Sequence, residues 1–269
     1  MVELNGGNRK WVMPTTQNKR LAMRVEYEGT AYSGFQYQAN APSIQEELEK
    51  AIAALTGDEV RIRSAGRTDA GVHATGQVIA FDTESRLGPC EFVRAMNYHL
   101  PDDIAVKAAH VMPDGFDPRR HARARSYRYT VLRSSTPSPL LRRQACLVTQ
   151  ALDVAMMGEA ARMYEGEHDF GRFAGPLERR DASTVRFVFE SSVREQGDLI
   201  TFDVKGNAFL PHQVRRMAGA LVDVGRGKLS RDDLKLMIDG GQTEAVAHSM
   251  PALGLSLVNV EYDGYPPKG

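Results

Sequence analysis

The sequence is poor in cysteine and has no long apolar run. Its 269 residues include 2 cysteines, Cys90 and Cys146, which cannot build a disulfide framework, so we interpret them as buried or idle thiols of a cytoplasmic protein. No stretch of about 18 consecutive apolar residues is present, which excludes a membrane-spanning helix. Residues 1–19 are polar and lack an apolar core. They are therefore no secretory signal, and we predict a flexible N-terminal extension.

The common motifs for metal and nucleotide binding are also missing. The sequence contains no Walker loop, HExxH, GxSxG or EF-hand loop. None of its 7 histidines is paired at the spacing of metal ligands, so we predict no metal site. We interpret four histidines as structural or solvent-facing residues, namely His73, His99, His121 and His212.

The formal net charge is zero, because 34 basic residues balance 34 acidic ones. Taken alone, this balance argues against a nucleic-acid-binding protein. The distribution is uneven, however. Between residues 116 and 143, eight arginines accompany one acid, Asp117, whereas acids outnumber bases from residue 230 onwards. This distribution permits one basic face on a neutral protein, and scattered solvated arginines are the alternative interpretation.

The first half of the sequence alternates between strand and helix patterns. Apolar residues predict strands at residues 21–27, 60–65, 77–83 and 104–112. A helix follows Ser43, which forms a capping box with Glu46, and this helix ends at Gly57. A second helix starts at Pro89 and stops before Pro101. The resulting order β-α-β-β-α-β is that of a ferredoxin-like unit.

The second half repeats this order with insertions. We predict strands at residues 126–133, 145–149, 185–195, 198–205 and 255–262, and helices at residues 151–164, around 210–221 and at 230–240. The predicted fold class is α+β, with two tandem ferredoxin-like halves whose antiparallel sheets lie side by side and leave a cleft between them. The predicted divisions are an extension (1–19), an N-terminal domain (20–114), a C-terminal domain with a basic insert (115–264) and a tail (265–269).

The stretch with the most chemical character is GRTDAGVHA at residues 66–74, between two predicted strands. One interpretation makes Asp69 a hydrogen-bonded turn residue. The other makes it a nucleophilic or basic carboxylate on a rigid loop, with Arg67 keeping it ionised by lowering its pKa. No second acid lies nearby in sequence, which disfavours a paired-carboxylate glycosidase.

Two further segments carry candidate binding residues. In SYRY at 126–129, alternation places Tyr127 and Tyr129 on one face. They are either core residues or a platform on which a base stacks, with neighbouring arginines on phosphates. In the helix near residue 214, Arg215 and Arg216 cannot both face the core. A solvated arginine and a cleft arginine paired with a carboxylate are both open.

Taken together, these motifs resemble the tRNA pseudouridine synthase A family. The likeness runs from about residue 20 to residue 262. GRTDAGVHA is similar to the signature of that family, and the segments EYEGTAYSGFQ (26–36), 116–129, HDF (168–170), NAFLPHQVR (207–215) and GLSL (254–257) match further blocks in the same order. The chain departs from the usual pattern at Phe35, Arg172, Pro211 and Gln213.

The resemblance implies isomerisation of uridine to pseudouridine at positions 38 to 40 of the tRNA anticodon stem-loop. It implies that Asp69 is the catalytic aspartate, that Tyr127 contacts substrate, and that Arg67 and Arg215 attend the aspartate and the flipped nucleotide. It also implies a homodimer that works without metal or cofactor and whose tRNA contacts both subunits. A base inside a stem is inaccessible, so the nucleotide must first leave the stack. Attack by Asp69 at C1′ and at C6 are both open.

Two other functions fit parts of the sequence. A non-catalytic RNA-binding module would use the arginines and tyrosines, but it gives Asp69 no role, because a carboxylate repels phosphates. An acid–base hydrolase with Asp69 as the base lacks an evident partner acid, triad or metal set. Product analysis separates the first alternative from a synthase, and the salt dependence of RNA affinity separates the second.

Overall fold

A computed structural model describes residues 18–177, 181–241 and 243–265 of the chain. Within these residues the chain forms ten β-strands and five α-helices, so the predicted α+β class is confirmed. The predicted extension lies outside the described residues as far as residue 17, and Lys19 already belongs to the first strand. Of the predicted tail, only Tyr265 lies within them.

The elements follow the chain in two groups. The first group contains β1 (Lys19–Tyr27), α1 (Ile44–Thr56), β2 (Arg63–Ser64), β3 (His73–Thr83), α2 (Pro89–His99) and β4 (Ile104–Met112). The second group contains β5 (Ala122–Arg133), β6 (Cys146–Val148), α3 (Val154–Arg162), β7 (Gly166–Asp169), β8 (Val185–Gln196), β9 (Leu199–Gly206), α4 (Gln213–Gly225), α5 (Arg231–Ile238) and β10 (Leu255–Tyr262).

The strands form one ten-stranded sheet. Its main path is β4-β1-β3-β10-β5-β9-β8-β7, with β2 paired to β3 and β6 paired to β5. Neighbours on this path within each group are antiparallel. The two groups join where β10 lies parallel to β3, with Ser256 opposite His73 and Leu257 opposite Ala74. This junction brings the loop before β3 next to the second group.

Helix α1 begins and ends at the residues that the sequence indicates. The Ser43 hydroxyl oxygen accepts a hydrogen bond of 3.3 Å from the Glu46 N–H, which satisfies one of the unpaired donors of the first turn. Gly57 follows the last turn with a φ of +79°, a conformation that glycine adopts without steric cost. The helix buries Ile44, Leu48 and Ile52 against the sheet, as the apolar spacing predicts.

Strand β2 is much shorter than the predicted strand at residues 60–65. The side chain of Glu49 on α1 contributes to the difference, because it accepts one backbone hydrogen bond of this segment and also holds the Arg61 side chain. Its Oε1 accepts from the Ile62 N–H at 3.0 Å, and its Oε2 accepts from Arg61 Nη1 at 2.9 Å. A side-chain acceptor thus replaces a sheet neighbour over this segment.

Helix α4 is the most deeply buried helix of the second group. Its apolar stripe includes Val214, Met217 and Leu221. Gly219 permits close contact on another side, because a Cβ there would lie 2.0 Å from the His248 carbonyl oxygen. The first turn of α4 is therefore fixed in position, and it carries Arg215 towards the junction of the two groups.

Candidate active site

The loop from Gly66 to Val72 is held in place by the chain segment that follows β1. The Phe35 N–H donates to the Thr68 carbonyl at 3.0 Å, and the Gly71 N–H donates to the Tyr32 carbonyl at 3.2 Å. The Thr68 hydroxyl is buried and lies 2.8 Å from the Tyr27 hydroxyl. These contacts on both sides of Asp69 present its side chain from a constrained backbone.

Gly34 makes this close approach of two backbones possible. Its φ is +105°, and a Cβ at this position would lie 2.8 Å from the Thr68 carbonyl oxygen. Inside the loop, the Val72 N–H donates to the Asp69 carbonyl at 3.1 Å, and Gly71 has a φ of +76°. The backbone of Asp69 therefore forms a turn, as one interpretation of the sequence expected, whereas its carboxylate has partners from another part of the fold.

The carboxylate of Asp69 faces two basic side chains of the second group. Its Oδ2 lies 3.5 Å from Arg215 Nη1 and 3.6 Å from His212 Nε2. Arg215 is itself fixed, because its Nε donates to the Met250 carbonyl at 2.7 Å. The Asp69 side chain is 32% exposed. Both contacts are longer than the roughly 2.7–2.9 Å of a direct charge-assisted hydrogen bond, so the carboxylate is attracted without being enclosed.

His212 has an unusual backbone conformation. Among the described residues it is the single non-glycine residue with a positive φ, at 59°. Its ring packs on Gly175, where a Cβ would lie 3.0 Å from the ring Cγ, and the Gly175 N–H donates to the Pro211 carbonyl at 2.7 Å. Backbone strain of this kind persists where the surroundings hold it, and it is common at functional sites.

Tyr127 and Tyr129 occupy different environments although they share a face of β5. Tyr129 is fully buried and donates its hydroxyl to the Pro251 carbonyl at 2.8 Å, which makes it a core residue. Tyr127 is 9% exposed, packs edge-on against Phe209 with ring centroids 5.3 Å apart, and lines the cavity beside Asp69. Burial raises the pKa of Tyr127 to about 12, with a smaller contribution from the Asp69 charge and an opposing one from Arg125.

A cavity of about 530 Å³ opens above the Asp69 carboxylate. Its lining includes three of the predicted site residues, Asp69, Arg67 and Tyr127. His212, which was not predicted as a site residue, lines it as well. Arg215, the fourth predicted site residue, reaches the same carboxylate from α4. Asp69 is the one acidic residue among the described residues that line the cavity.

Further arginines surround the same cavity, and they are Arg119, Arg125 and Arg186. Of the arginine-rich segment, Arg119 and Arg125 thus line the cavity around Asp69. Four other arginines of the segment form ion pairs with acids, namely Arg123, Arg128, Arg133 and Arg143. Arg125 has a structural role, since its guanidinium donates hydrogen bonds to the carbonyls of Ala65 and Asn207 at 2.9 and 2.8 Å. It thereby ties β5 to the residue that precedes the Asp69 loop.

The position of His212 beside Asp69 was not predicted, because His212 was grouped with the structural or solvent-facing histidines. The signal that points to it is the spacing of three residues between His212 and Arg215, which places both on one side of the helix start. No specific contact of Arg125 was predicted either. His73 does have a structural environment, because its Nδ1 accepts from the Gly29 N–H at 3.0 Å and its Nε2 lies 3.0 Å from the Leu253 carbonyl.

The described residues contain neither a metal-binding cluster nor a membrane-spanning helix. They contain no group of three or more histidine, cysteine, aspartate or glutamate side chains placed to hold a metal ion. No helix in the described part of the chain is both long enough and apolar enough to cross a membrane.

Comparison with known proteins adds independent information. A family model described as tRNA pseudouridine synthase matches residues 23–119 and 160–263. The tRNA pseudouridine synthase A of Geobacter sulfurreducens is 42% identical over 91% of this chain and 100% of its own length. That of Geotalea uraniireducens is 39% identical with the same coverage, and that of Roseiflexus castenholzii is 41% identical over 91% of each chain.

One solved structure gives a much weaker match. A chain of the crystal structure of a Cbf5-Nop10-Gar1 complex aligns over 76% of this chain and 54% of its own length, with 13% identity and a TM-score of 0.32, and carries no weight here. The family model and the relatives, in contrast, each span most of the sequence. The chain belongs to the tRNA pseudouridine synthase family, and it is accordingly an isomerase.

Proposed function

We propose that the chain isomerises uridine to pseudouridine at positions 38 to 40 of the tRNA anticodon stem-loop, with Asp69 as the nucleophile. The observation that carries this proposal is the position of Asp69 on the wall of an arginine-lined cavity of about 530 Å³. Cavities for small ligands measure roughly 300–1,000 Å³. Such a cavity suits one nucleotide but not a helical stem, so the target uridine enters it after leaving its stack.

The charges around the cavity suit an anionic polymer that carries a neutral base. The residues Arg67, Arg119 and Arg186 line it, and guanidinium groups bind phosphate oxygens well. The carboxylate of Asp69 would repel a phosphate, so it faces the sugar and base of the flipped nucleotide. This division of charge favours a reaction at the nucleoside over simple backbone binding.

The reaction requires a nucleophile and a base but no added atoms. The N1–C1′ bond breaks, the uracil turns, and C5 bonds to C1′; the C5 proton leaves and N1 gains a proton. Asp69 as the carboxylate attacks either C1′ or C6, forming a covalent bond that breaks again when the product is released. Arg215 attracts and orients this carboxylate, since its guanidinium lies 3.5 Å from Oδ2 and is held by the Met250 carbonyl.

Tyr127 acts as a neutral phenol in this scheme. With a pKa of about 12 it keeps its proton at neutral pH, so it is no general base there. Its ring is fixed by Phe209, and it supplies a flat apolar surface on which the uracil stacks while it turns. Stacking of this kind does not depend on the orientation of the base within its plane.

The proposal also covers the architecture. We propose that residues 20–114 and 115–264 are tandem ferredoxin-like domains, and the orders β4-β1-β3-β2 and β10-β5-β9-β8 support it. We propose, in addition, that the protein acts as a homodimer whose tRNA contacts both subunits. Light scattering at micromolar concentration checks this part, and a mass of 29.7 kDa in solution, that of one chain, would contradict it.

The function is tested with unmodified tRNA transcripts that carry uridine at positions 38, 39 and 40. They are incubated with the wild type, with Asp69→Asn and with Asp114→Asn, an exposed turn aspartate as the matched control. Pseudouridine is mapped by chemical labelling and primer extension. Product at these positions with wild type and Asp114→Asn, and none with Asp69→Asn, is the expected result. Product from Asp69→Asn would rule out the nucleophile, and tight binding without product would favour an RNA-binding module.

A further inference from the structure

A second cavity of about 400 Å³ lies next to the first. The two share three residues of their walls, namely Gly66, Arg67 and Arg119. The second cavity is formed where β2 meets the segment that leads into β5. The shared wall places the two cavities close enough for neighbouring residues of one polymer to occupy both.

The second cavity is strongly basic. The residues Arg61, Arg63, Arg67, Arg119 and Arg120 line it, and Asp117 is the one acid among its lining residues. The carboxylate of Asp117 is already engaged: Oδ2 lies 2.8 Å from Arg63 Nη1, and Oδ1 accepts from the N–H groups of Arg119 and Arg120 at 2.9 and 3.0 Å. Glu49 outside the lining pairs with Arg61. Among the described residues, the guanidinium groups of Arg61, Arg63, Arg119 and Arg120 thus face the carboxylates of Asp117 and Glu49, and the excess positive charge favours an anion.

An aromatic ring orients one of these arginines in advance. The guanidinium carbon of Arg61 lies 4.9 Å from the centroid of the Tyr37 ring, which is 44% exposed. The Tyr37 N–H donates to Gln45 Oε1 at 3.0 Å, so the segment that carries the ring is attached to α1. Nη1 of Arg61 is bonded to Glu49, and a guanidinium stacked on an aromatic face keeps its other N–H donors directed outward, where they can reach phosphate oxygens. The cavity thus has a prepared donor rather than a loose surface charge.

We propose that the second cavity binds a backbone phosphate of the substrate RNA, within a few nucleotides of the uridine that enters the first cavity. Arg61 and Arg120 are the principal contacts, and the shared residues Arg67 and Arg119 lie along the strand between the two cavities. The inference rests on the proposed function for the identity of the polymer. It adds a binding subsite that positions the strand and takes no part in the chemical step.

The first test compares RNA binding and turnover in a double variant, Arg61→Gln with Arg120→Gln. The matched control is Arg94→Gln, an exposed arginine of α2 that lines neither cavity. Each lost phosphate contact lowers the slope of log affinity against log salt by about 0.7 to 0.9. Because one phosphate is lost, we expect the double variant to lose about 0.7 to 0.9 from this slope and to raise KM several-fold while kcat stays within about twofold. An unchanged slope and KM would overturn the proposal.

The second test locates the phosphate. Single neutral methylphosphonates are placed at successive positions on both sides of the target uridine. At the phosphate that occupies the cavity, the substitution weakens binding to the wild type and adds no further loss in the double variant. Equal losses in both proteins at every position would overturn the proposal. Binding is measured without turnover, so a wild type that binds with this pattern but forms no pseudouridine would contradict the proposed function and leave the subsite standing.

Discussion

His212 Nε2 lies 3.6 Å from Asp69 Oδ2, and the two residues come from opposite sides of the β3–β10 junction. Asp69 belongs to a loop held by the segment after β1, whereas His212 precedes α4 with a left-handed backbone. The direction of the carboxylate is therefore set by the packing of both groups of elements. The contact also places an imidazole ring beside Arg215, so the Asp69 carboxylate faces two side chains of the second group.

His212→Asn tests this contact between the imidazole ring and Asp69. Asparagine tolerates positive φ, so the variant keeps the backbone and removes the ring near Asp69. We expect turnover to fall about tenfold, which equals about 1.4 kcal/mol, with the melting temperature unchanged. His99→Asn, at the exposed end of α2, serves as the control. Full activity of His212→Asn would show that the ring has no part in placing the carboxylate.

Gly34→Ala tests the support beneath Asp69. The added methyl group would lie 2.8 Å from the Thr68 carbonyl at a φ of +105°, so the Asp69 loop must move or the protein must lose stability. Gly57→Ala is the matched control, because Gly57 also has a positive φ but open space around it. We expect Gly57→Ala to lower the free energy of unfolding by about 1 kcal/mol and Gly34→Ala by about 3 kcal/mol, with loss of turnover. Urea unfolding measures both, and equal losses would refute the argument.

Arg215→Lys tests whether geometry or charge holds Asp69. A lysine keeps the charge, but its single ammonium group cannot bond the Met250 carbonyl and face Asp69 in the same way as a guanidinium. We expect kcat to fall about 10- to 100-fold while the Kd for RNA stays within about twofold. Arg162→Lys, in the exposed last turn of α3, is the control. Wild-type kcat in Arg215→Lys would mean that charge alone suffices.

Tyr127→Phe tests the role of the phenol through its pH dependence. The pKa of Tyr127 is raised to about 12 in the fold, against an ordinary value of about 10 in the unfolded chain. The protonated phenol thus stabilises the fold fully below pH 10, and this contribution is lost as the pH rises from about 10 to 12. For Tyr127 alone it amounts to roughly 3 kcal/mol.

We therefore expect Tyr127→Phe to lose less stability than the wild type over that pH range, as measured by urea unfolding at fixed ionic strength. Between pH 6 and 9, both proteins should show pH–rate profiles of the same shape, because neither ring ionises there. The aromatic surface remains in the variant, so kcat should stay within about tenfold. A new pH limb that appears only in the wild type would show that the phenol does exchange its proton during turnover.

Local sequence signals predicted those parts of the fold that depend on local physics. The boundaries of β4 and β10 match the predicted residues 104–112 and 255–262, since alternation and flanking turns define them. The N-cap at Ser43 and the helix end at Gly57 were also predicted from local sequence. The start of β3 at His73 was not predicted, because its first residues pair with β10, which lies far away in the chain. Strand β7 lacks an apolar alternation and was missed.

The same distinction holds for the candidate site. Asp69, Arg67 and Tyr127 stand in recognisable motifs, and the structure brings them to one cavity. The neighbours of Asp69 depend on tertiary packing, so nothing local links the residue to His212. The shortening of β2 has a similar cause, since the side chain of Glu49, 13 residues away, accepts the hydrogen bond of the Ile62 N–H before β2. Side chains that replace sheet partners leave no periodic trace in a sequence.

The junction between β3 and β10 has a consequence for the order in which the protein matures. A ribosome releases the chain from its N-terminus, so β10 emerges after every other strand of the sheet. Before β10 emerges, no strand lies between β3 and β5. Met250, whose carbonyl accepts the hydrogen bond from Arg215, is synthesised shortly before β10. The Asp69 loop can fold on its own segment early in translation. His212 and Arg215 are synthesised later, so the surroundings of the Asp69 carboxylate are complete only after β10 has joined the sheet.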